Sequence, residues 1–579
     1  MLRALRAAFA KWRMDRMNFA SRLNAAQALQ RRGEYDAAAE IFDEILAADP
    51  AQPDALVLSA RLEAGRGRLQ LAQSRLAAAL AHNPNSGRAH ADLGNVRRLS
   101  GDAAGAIESF KTALALDPGR AAAWNNFGLS LLAAGRAAEA GAAFGHALEC
   151  EPRFAEALRN LVNTMSGLGQ TAELRSQLEA IVARDKNNSE AHAALGFVEL
   201  DCFAAPDRAL IQFERARELG LHDAELFVNR GIALHDLGRI DEAVASYDAA
   251  LVADPDYQLA RFHRALAHLV DQRFDLAWDD YEARLVSPVV PPRQFHFPQW
   301  DGEDLAGRTL LILAEQGLGD EIMFASCFAE TISRARQCVI DCSPKLAAIF
   351  KRSFPQATVH GGTQFDDPAW LAEIPPPDVQ IRAGSLPRLL RPRLSAFPRH
   401  HGYLVADPQK VQRWRNWLAE LGDGPKVGVS WRGGTAQSRA GQRSLKVDDL
   451  APVFAVPGVH FVSSQYDANR EEVAAYCERS GRSLKYAAEA VADYDETAAL
   501  VVALDLVVSV CTAIIHLAGA LGRPAWVMAP WVPEWRYGIH GESMAWYPAN
   551  RVLRQSAPGR WDELIARAAA ELAELRAHS

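Results

Sequence analysis

Three short stretches hold residues whose types and spacing suit acid–base or anion-binding chemistry. In Glu315-Gln316-Gly317-Leu318-Gly319-Asp320-Glu321 an apolar run from Leu310 ends in two glycines and a carboxylate, and a helical pattern follows as far as Phe324. Glycines let the backbone approach a ligand, and the first N–H groups of a helix favour an anion. Gln316, Gly317 and Gly319 form the turn, and Asp320 is placed as a proton acceptor or, equally by residue type, as a helix cap. Glu315 and Glu321 are the neighbouring alternatives. In Ser430-Trp431-Arg432-Gly433-Gly434, an arginine beside two glycines suits a phosphate, with Arg443 as a second cation. In Cys511-Thr512-Ala513-Ile514-Ile515-His516 a helix starts just past an apolar strand. Its free N–H groups and the Thr512 hydroxyl suit an anion, and His516 lies one turn further along.

These stretches need elements to hold them. Strands are predicted at Leu310 onwards, Cys338–Cys342, Ala357–His360 and Val379–Ile381, with helices over Phe324–Ala335 and Pro344–Ser353. A second cycle follows, with strands at Val427–Ser430, Val459–Ser463, Leu504–Ser509 and Pro524–Val527 and a closing helix at Trp561–Arg576. Such β/α alternation predicts parallel sheets. Two doubly wound halves, 288–405 and 406–579, would set a ligand cleft between the carboxyl ends of their strands. Ser287-Pro288-Val289-Val290-Pro291-Pro292 reads as the linker that precedes them.

Everything before that linker is periodic. Pro50, Pro84, Pro118 and Pro152 recur every 34 residues, and one extra residue later brings the frame to Pro255. One period carries Trp124, Phe127, Gly128, Leu131, Gly135, Ala140, Phe144, Ala147 and Pro152, and another repeats it as Phe227, Gly231, Leu234, Gly238, Ala243, Tyr247, Ala250 and Pro255. A helix–turn–helix of this length, small at the helix crossing and aromatic in the second helix, resembles the tetratricopeptide repeat. About eight copies are expected over 18–287, stacked into an α superhelix, behind a basic amphipathic helix at 1–17. Asn95, Asn125, Asn126 and Asn229, with Asn160, fall on first helices, where amides can bond the backbone of a bound polypeptide.

Composition narrows the class. A net charge of −8 leaves no excess of cations to track nucleic acid. No apolar run reaches the roughly 20 residues of a membrane helix, so no integral membrane segment is expected. Seven cysteines are scattered without a CxxC pair, which indicates neither a disulfide framework nor zinc and suits the cytoplasm. There is no dinucleotide fingerprint in either predicted α/β half, and no DxD-type metal motif stands in a suitable loop.

Taken together, EQGLGDE (315–321), SWRGG (430–434), CTAIIHLAGALGRPAWV (511–527) and EWRYG…WYP (534–548) resemble the bacterial tetratricopeptide-coupled glycosyltransferases. Their catalytic half is similar to glycosyltransferase family 9, the heptosyltransferase-like enzymes. The plan of repeats followed by a GT-B module also resembles O-GlcNAc transferases and the repeat-bearing flagellin glycosyltransferases. The resemblance implies an inverting, metal-independent transfer of sugar from a nucleotide-sugar, used as co-substrate with no other cofactor, to a Ser or Thr hydroxyl of a protein. Flagellin is the implied acceptor. Asp320 would be the base, on the acceptor side with Gln316, Gly317 and Gly319. Arg432, Gly433, Gln465, Cys511, Thr512 and His516 would bind the donor. Trp431, Trp531, Trp535 and Trp546 are candidates to stack on sugar or base, or to sit in the core. In one place the chain departs from the pattern. The family usually has Asp before the Thr of the T-x-x-x-H run, and here Cys511 stands there. A lipid or polysaccharide acceptor and a non-catalytic scaffold remain the alternatives.

Overall fold

The structure is a computed structural model, and it describes residues 19–286, 295–315, 317–363, 367–434, 440–466 and 470–577. The helix expected at 1–17, the linker Ser287–Pro292 and Gln316 lie outside the described residues. The chain forms two compact units, Met1–His222 and Asp223–Ser579. The division falls inside the repeat array, so the second unit holds the last repeats together with the α/β part.

The first unit is a stack of helix pairs. A helix over 19–31 is followed by Tyr35–Ala48, and then by Pro53–Gly65 with Leu69–His82, Gly87–Leu99 with Ala103–Leu116, and Ala121–Ala133 with Ala137–Cys150. The pairs Ala155–Gly167 with Thr171–Arg184 and Ser189–Asp201 with Pro206–Glu218 complete it. The period is visible in the backbone. Left-handed φ recurs at Gly33, Gly67, Gly101, Gly135 and Gly169, then at Ala204, Gly238 and Gln272. The extra residue between Gly169 and Ala204 is the one that shifts the proline frame. The small residue at the helix crossing has a steric cause: a Cβ on Gly128 would lie 2.5 Å from the Phe144 ring. Each pair buries its apolar stripe on its neighbours, as around Phe144, Leu161, Met165, Leu178 and Val198.

The second unit opens with two more pairs, Ala224–Asp236 with Ile240–Ala253 and Gln258–Val270 with Phe274–Tyr281. Two all-parallel sheets follow. The first contains β1 (Thr309–Leu313), β2 (Gln337–Cys342), β3 (Thr358–Gly361) and β4 (Val379–Arg382), in the order β3-β2-β1-β4. The second contains β5 (Lys426–Ser430), β6 (His460–Ser463), β7 (Leu484–Tyr486), β8 (Leu506–Val510), β9 (Ala525–Ala529) and β10 (Asn550–Arg554), in the order β10-β9-β8-β5-β6-β7. Counted within its own sheet, the second order is 3-2-1-4-5-6 and the first is 3-2-1-4, both doubly wound. β1, β8 and β9 are buried at every position, as strands covered on both faces must be.

Eight of these ten strands match the predicted ones. The two that do not, β7 and β10, are edge strands. β7 is three residues long, and β10 carries Asn550, Arg551 and Arg554, so neither shows a continuous apolar run. The helix expected over Phe324–Ala335 is instead Leu318–Phe324 and Phe328–Arg334 joined by a tighter turn, Ala325–Cys327.

Candidate functional site

In a doubly wound sheet the loops at the carboxyl ends of the strands flanking the reversal of strand order form the crevice. Here those strands are β1 and β4 in the first sheet, and β5 and β8 in the second. The turn carrying Asp320 follows β1, Trp431-Arg432-Gly433 follows β5, and Cys511-Thr512 follows β8. All three stretches singled out in the sequence therefore sit at switch points.

Gly317, at φ +92°, is the residue that caps Leu318–Phe324, so Asp320 lies inside the first turn and does not cap it. Its carboxylate accepts from Arg536 Nε at 2.5 Å, and the other guanidinium nitrogens pair with it and approach Glu534 at 3.8 Å. Glu534 is also paired with Arg443. Asp320, Arg536, Glu534 and Arg443 thus form a chain of alternating charge from the first sheet's turn to the second sheet's loops. Burial lifts the Asp320 carboxyl above the ordinary carboxylate range, with Arg536 acting in the opposite sense.

The neighbouring carboxylates are committed elsewhere. Glu315 is held by Arg284 at 2.9 and 2.6 Å and by the Gly384 N–H at 2.8 Å. Burial opposes its ionisation, but Arg284 keeps it below the usual glutamate value. Arg284 lies at the end of the last repeat and also donates to Ser385 at 2.9 Å. Glu321 is buried and accepts the Ser343 N–H at 2.8 Å, just past β2.

In the second sheet Gln465 is fully buried. Its Oε1 accepts from Ser430 Oγ and from the N–H groups of Trp431 and Arg432 at 2.8–2.9 Å, while its Nε2 donates to the Arg432 carbonyl at 3.1 Å. It shapes the loop after β5 from behind. Arg432 forms a fork with Glu472, at 2.5 and 2.9 Å. A Cβ on Gly433 would lie 2.5 Å from the Cys511 carbonyl and 2.6 Å from the Thr512 methyl, so only glycine lets the two loops meet. Thr512 caps Ala513–Ala520 by position without a side-chain cap bond, and its hydroxyl lies 3.2 Å from Ser509 Oγ. Cys511 is buried, and burial raises its thiol strongly.

His516 is buried between Tyr547, whose hydroxyl is 3.3 Å from Nδ1, and Tyr537, whose hydroxyl is 3.3 Å from Nε2. Tyr403 donates to the Ile322 carbonyl at 2.7 Å and lies 3.4 Å from the Tyr547 hydroxyl. Because a carbonyl only accepts, the contacts are all satisfied when Tyr547 donates to Tyr403, His516 Nδ1–H to Tyr547, and Tyr537 to Nε2. Burial, helped by Arg536, holds the imidazole down to about 3, so the ring is neutral. The helix Leu318–Phe324 packs on this one at Gly319, where a Cβ would lie 3.0 Å from the His516 ring and 3.5 Å from the Ala513 backbone. Gly319 thus serves a helix contact, and His516 braces the two sheets.

Three of the four candidate tryptophans, Trp431, Trp535 and Trp546, are buried, and Trp531 is 37% exposed. Trp535 packs edge-on against Trp278 and Tyr281 of the last repeat and Trp546, and stacks on Phe324, with centroids 5.7–6.4 Å away from its own ring. Of the groove asparagines, Asn125 is buried, donating to Glu156 at 3.1 Å and accepting from Asn160 at 2.9 Å. Asn95 accepts from Arg98 at 3.0 Å and lines a cavity of about 330 Å³ with Arg61, Asp92 and Leu99. Asn126 and Asn229 are half-buried.

The residues that complete the site without having been singled out are Arg536, Glu534, Tyr537, Tyr547, Glu472 and Arg284. The first four lie in the quoted EWRYG and WYP segments, which were the available signal. Nothing local marks Glu472 or Arg284.

Comparison with known proteins bears mainly on the array. One sequence profile described as tetratricopeptide repeat matches residues 29–96, and a second matches 2–53, 92–153, 206–258 and 228–288. Protein FlbA of Caulobacter vibrioides is 31% identical over 387 residues, 64% of this chain and 64% of that protein. The chain thus spans less than two thirds of the curated relative it matches. Among solved structures, a tetratricopeptide repeat protein from Parabacteroides merdae is 15% identical over 43% of this chain and 99% of its own, with a TM-score of 0.30. Pseudomonas aeruginosa pilF is 20% identical over 37% and 96%, with a TM-score of 0.29. The N-terminal half of this chain carries tetratricopeptide repeats.

Proposed function

We propose that the chain is a protein glycosyltransferase with a GT-B catalytic module, whose repeats hold the polypeptide acceptor while the two sheets transfer a sugar to it. The observation that supports this most is an acid at one switch point, Asp320 after β1, paired with Arg536 from the loop after β9, with Arg432, Gly433 and Thr512 at the other switch point, after β5 and β8. In the step this implies, the acceptor oxygen bonds to the anomeric carbon and the hydroxyl proton passes to Asp320. The bond from that carbon to the donor phosphate breaks, and its electron pair leaves on the phosphate. Asp320 suits the proton, because burial makes its carboxylate more basic than an exposed one. The guanidinium groups and the helix end at Thr512 suit the departing anion. Flagellin is the acceptor proposed, on the resemblance to repeat-bearing flagellin glycosyltransferases alone.

A second reading, a scaffold that no longer transfers sugar, draws on Cys511, which is buried where the family usually has Asp, and on His516, which is enclosed by tyrosines. The two are separated by a thermal-shift screen of the full chain against nucleotide-sugars, followed by intact-mass measurement of co-expressed flagellin. A stabilising donor and a mass increase of one or more sugars support transfer. No donor response and an unshifted mass support the scaffold.

A further inference from the structure

We propose that Arg536 is a positioning residue that holds Asp320 until the anionic group of a donor takes its guanidinium instead, so that binding of the anion frees the carboxylate. This rests on the reading of the site given above. Arg536 has one planar fork and two carboxylates around it, Asp320 at 2.5 Å and Glu534 at 3.8 Å. The fork matches a phosphate as well as it matches a carboxylate, and it cannot satisfy both at once. Arg536 and Asp320 are 17% and 21% exposed, open enough for an incoming anion to reach them.

The backbone of the loop, by contrast, is fixed. Trp535 is buried in the aromatic group, with the Arg536 guanidinium 5.2 Å above its ring. On either side, the Trp531 indole N–H donates to the Leu237 carbonyl at 3.4 Å and the Ile539 N–H to the Val270 carbonyl at 2.8 Å. His540 lies 3.1 Å from Asp271, and the Gln272 amide packs over Gly538. Both ends of the loop are therefore clamped by the turns of the last two repeats, and the exchange is a side-chain movement.

Competition for one guanidinium is a reciprocal coupling: whatever removes the Asp320 charge must tighten the anion. The test is calorimetric titration of inorganic pyrophosphate into the full chain at low salt, with melting temperatures recorded for each variant. Asp320→Asn, which keeps the side chain's shape, is expected to bind pyrophosphate at least about five-fold tighter than the unaltered chain. Arg536→Gln is expected to bind about ten-fold weaker, with Arg536→Lys between the two because it keeps the charge and loses the fork. The double variant Asp320→Asn/Arg536→Gln is expected to match Arg536→Gln. A gain that persists in the double variant reflects general charge and overturns the proposal. So does an unchanged affinity in Asp320→Asn, or no binding by any of the proteins. Because the readout is binding, it is separate from the base assignment: a normal rate of sugar transfer by Asp320→Asn would remove that assignment and leave this result standing.

Discussion

The junction after β1 and the junction after β8 are built alike. In each a buried apolar strand runs through a short turn into a helix, and the two helices touch at Gly319 and His516. What they hold differs. The first carries Asp320 and Glu315, each paired with an arginine that arrives from elsewhere in the chain. The second carries Cys511, Thr512 and a neutral His516, with no charged residue between Cys511 and His516. An acid-rich turn is thus set against a turn whose polar resource is a helix end. The cations around them come from the loops that follow β5 and β9 and, for Glu315, from Arg284 at the end of the last repeat. Similar local structure therefore says little about role, which is decided by the partners that long-range packing delivers.

The largest effect is expected from stripping the first junction of a partner. Arg284→Ala leaves Glu315 mostly buried with the Gly384 N–H as its hydrogen-bond donor among the described residues, and is expected to cost about 3–5 kcal/mol in urea unfolding at pH 7. A loss below about 1 kcal/mol would mean that water replaces the guanidinium there.

The second junction is probed by pH. His516 titrates near 3 in the folded chain against 6.5 ordinarily, so between those values the unfolded state binds more protons. The stability from a neutral His516 is complete above pH 6.5 and is lost as pH falls towards 3, on the order of a few kcal/mol. His516→Gln, which can still bond both tyrosines, should flatten the fall in melting temperature between pH 6.5 and 4. An unchanged slope would mean that the imidazole is not buried neutral.

A smaller effect is expected behind the loop after β5. Gln465→Leu leaves the Trp431 and Arg432 N–H groups without their acceptor, at a cost of about 1–3 kcal/mol. Faster hydrogen exchange at these two amides would localise the change.

The smallest lies outside both junctions. Ala204 holds φ +49° where five earlier turns use glycine, so Ala204→Gly should stabilise the array by about 0.5–1 kcal/mol, read as a rise in the melting temperature.

The same contrast explains what was legible in the sequence. The array writes its structure locally. Prolines, crossing glycines and aromatics recur every 34 residues, and the left-handed turns follow the same count, including the one-residue slip before Ala204. Most strands were legible for the same reason, as short apolar runs; β7 and β10 were too short or too charged to stand out. Asp320, Arg432 and Thr512 were legible as residues after strands. Their partners were not, since Asp320 and Arg536 are 216 positions apart, and Glu315 and Arg284 come from different elements 31 apart. Nor could sequence show that His516 and Gln465 are enclosed, because burial follows from long-range packing.

Asp320 is the group proposed to take the acceptor proton. The direct measurement is sugar transfer by the full chain from the donor found in the thermal-shift screen to flagellin, with Asp320→Asn compared with the unaltered protein. A fall in turnover of about 10²–10⁴-fold, with donor binding retained, is the predicted result. Equal turnover in the two proteins would contradict it.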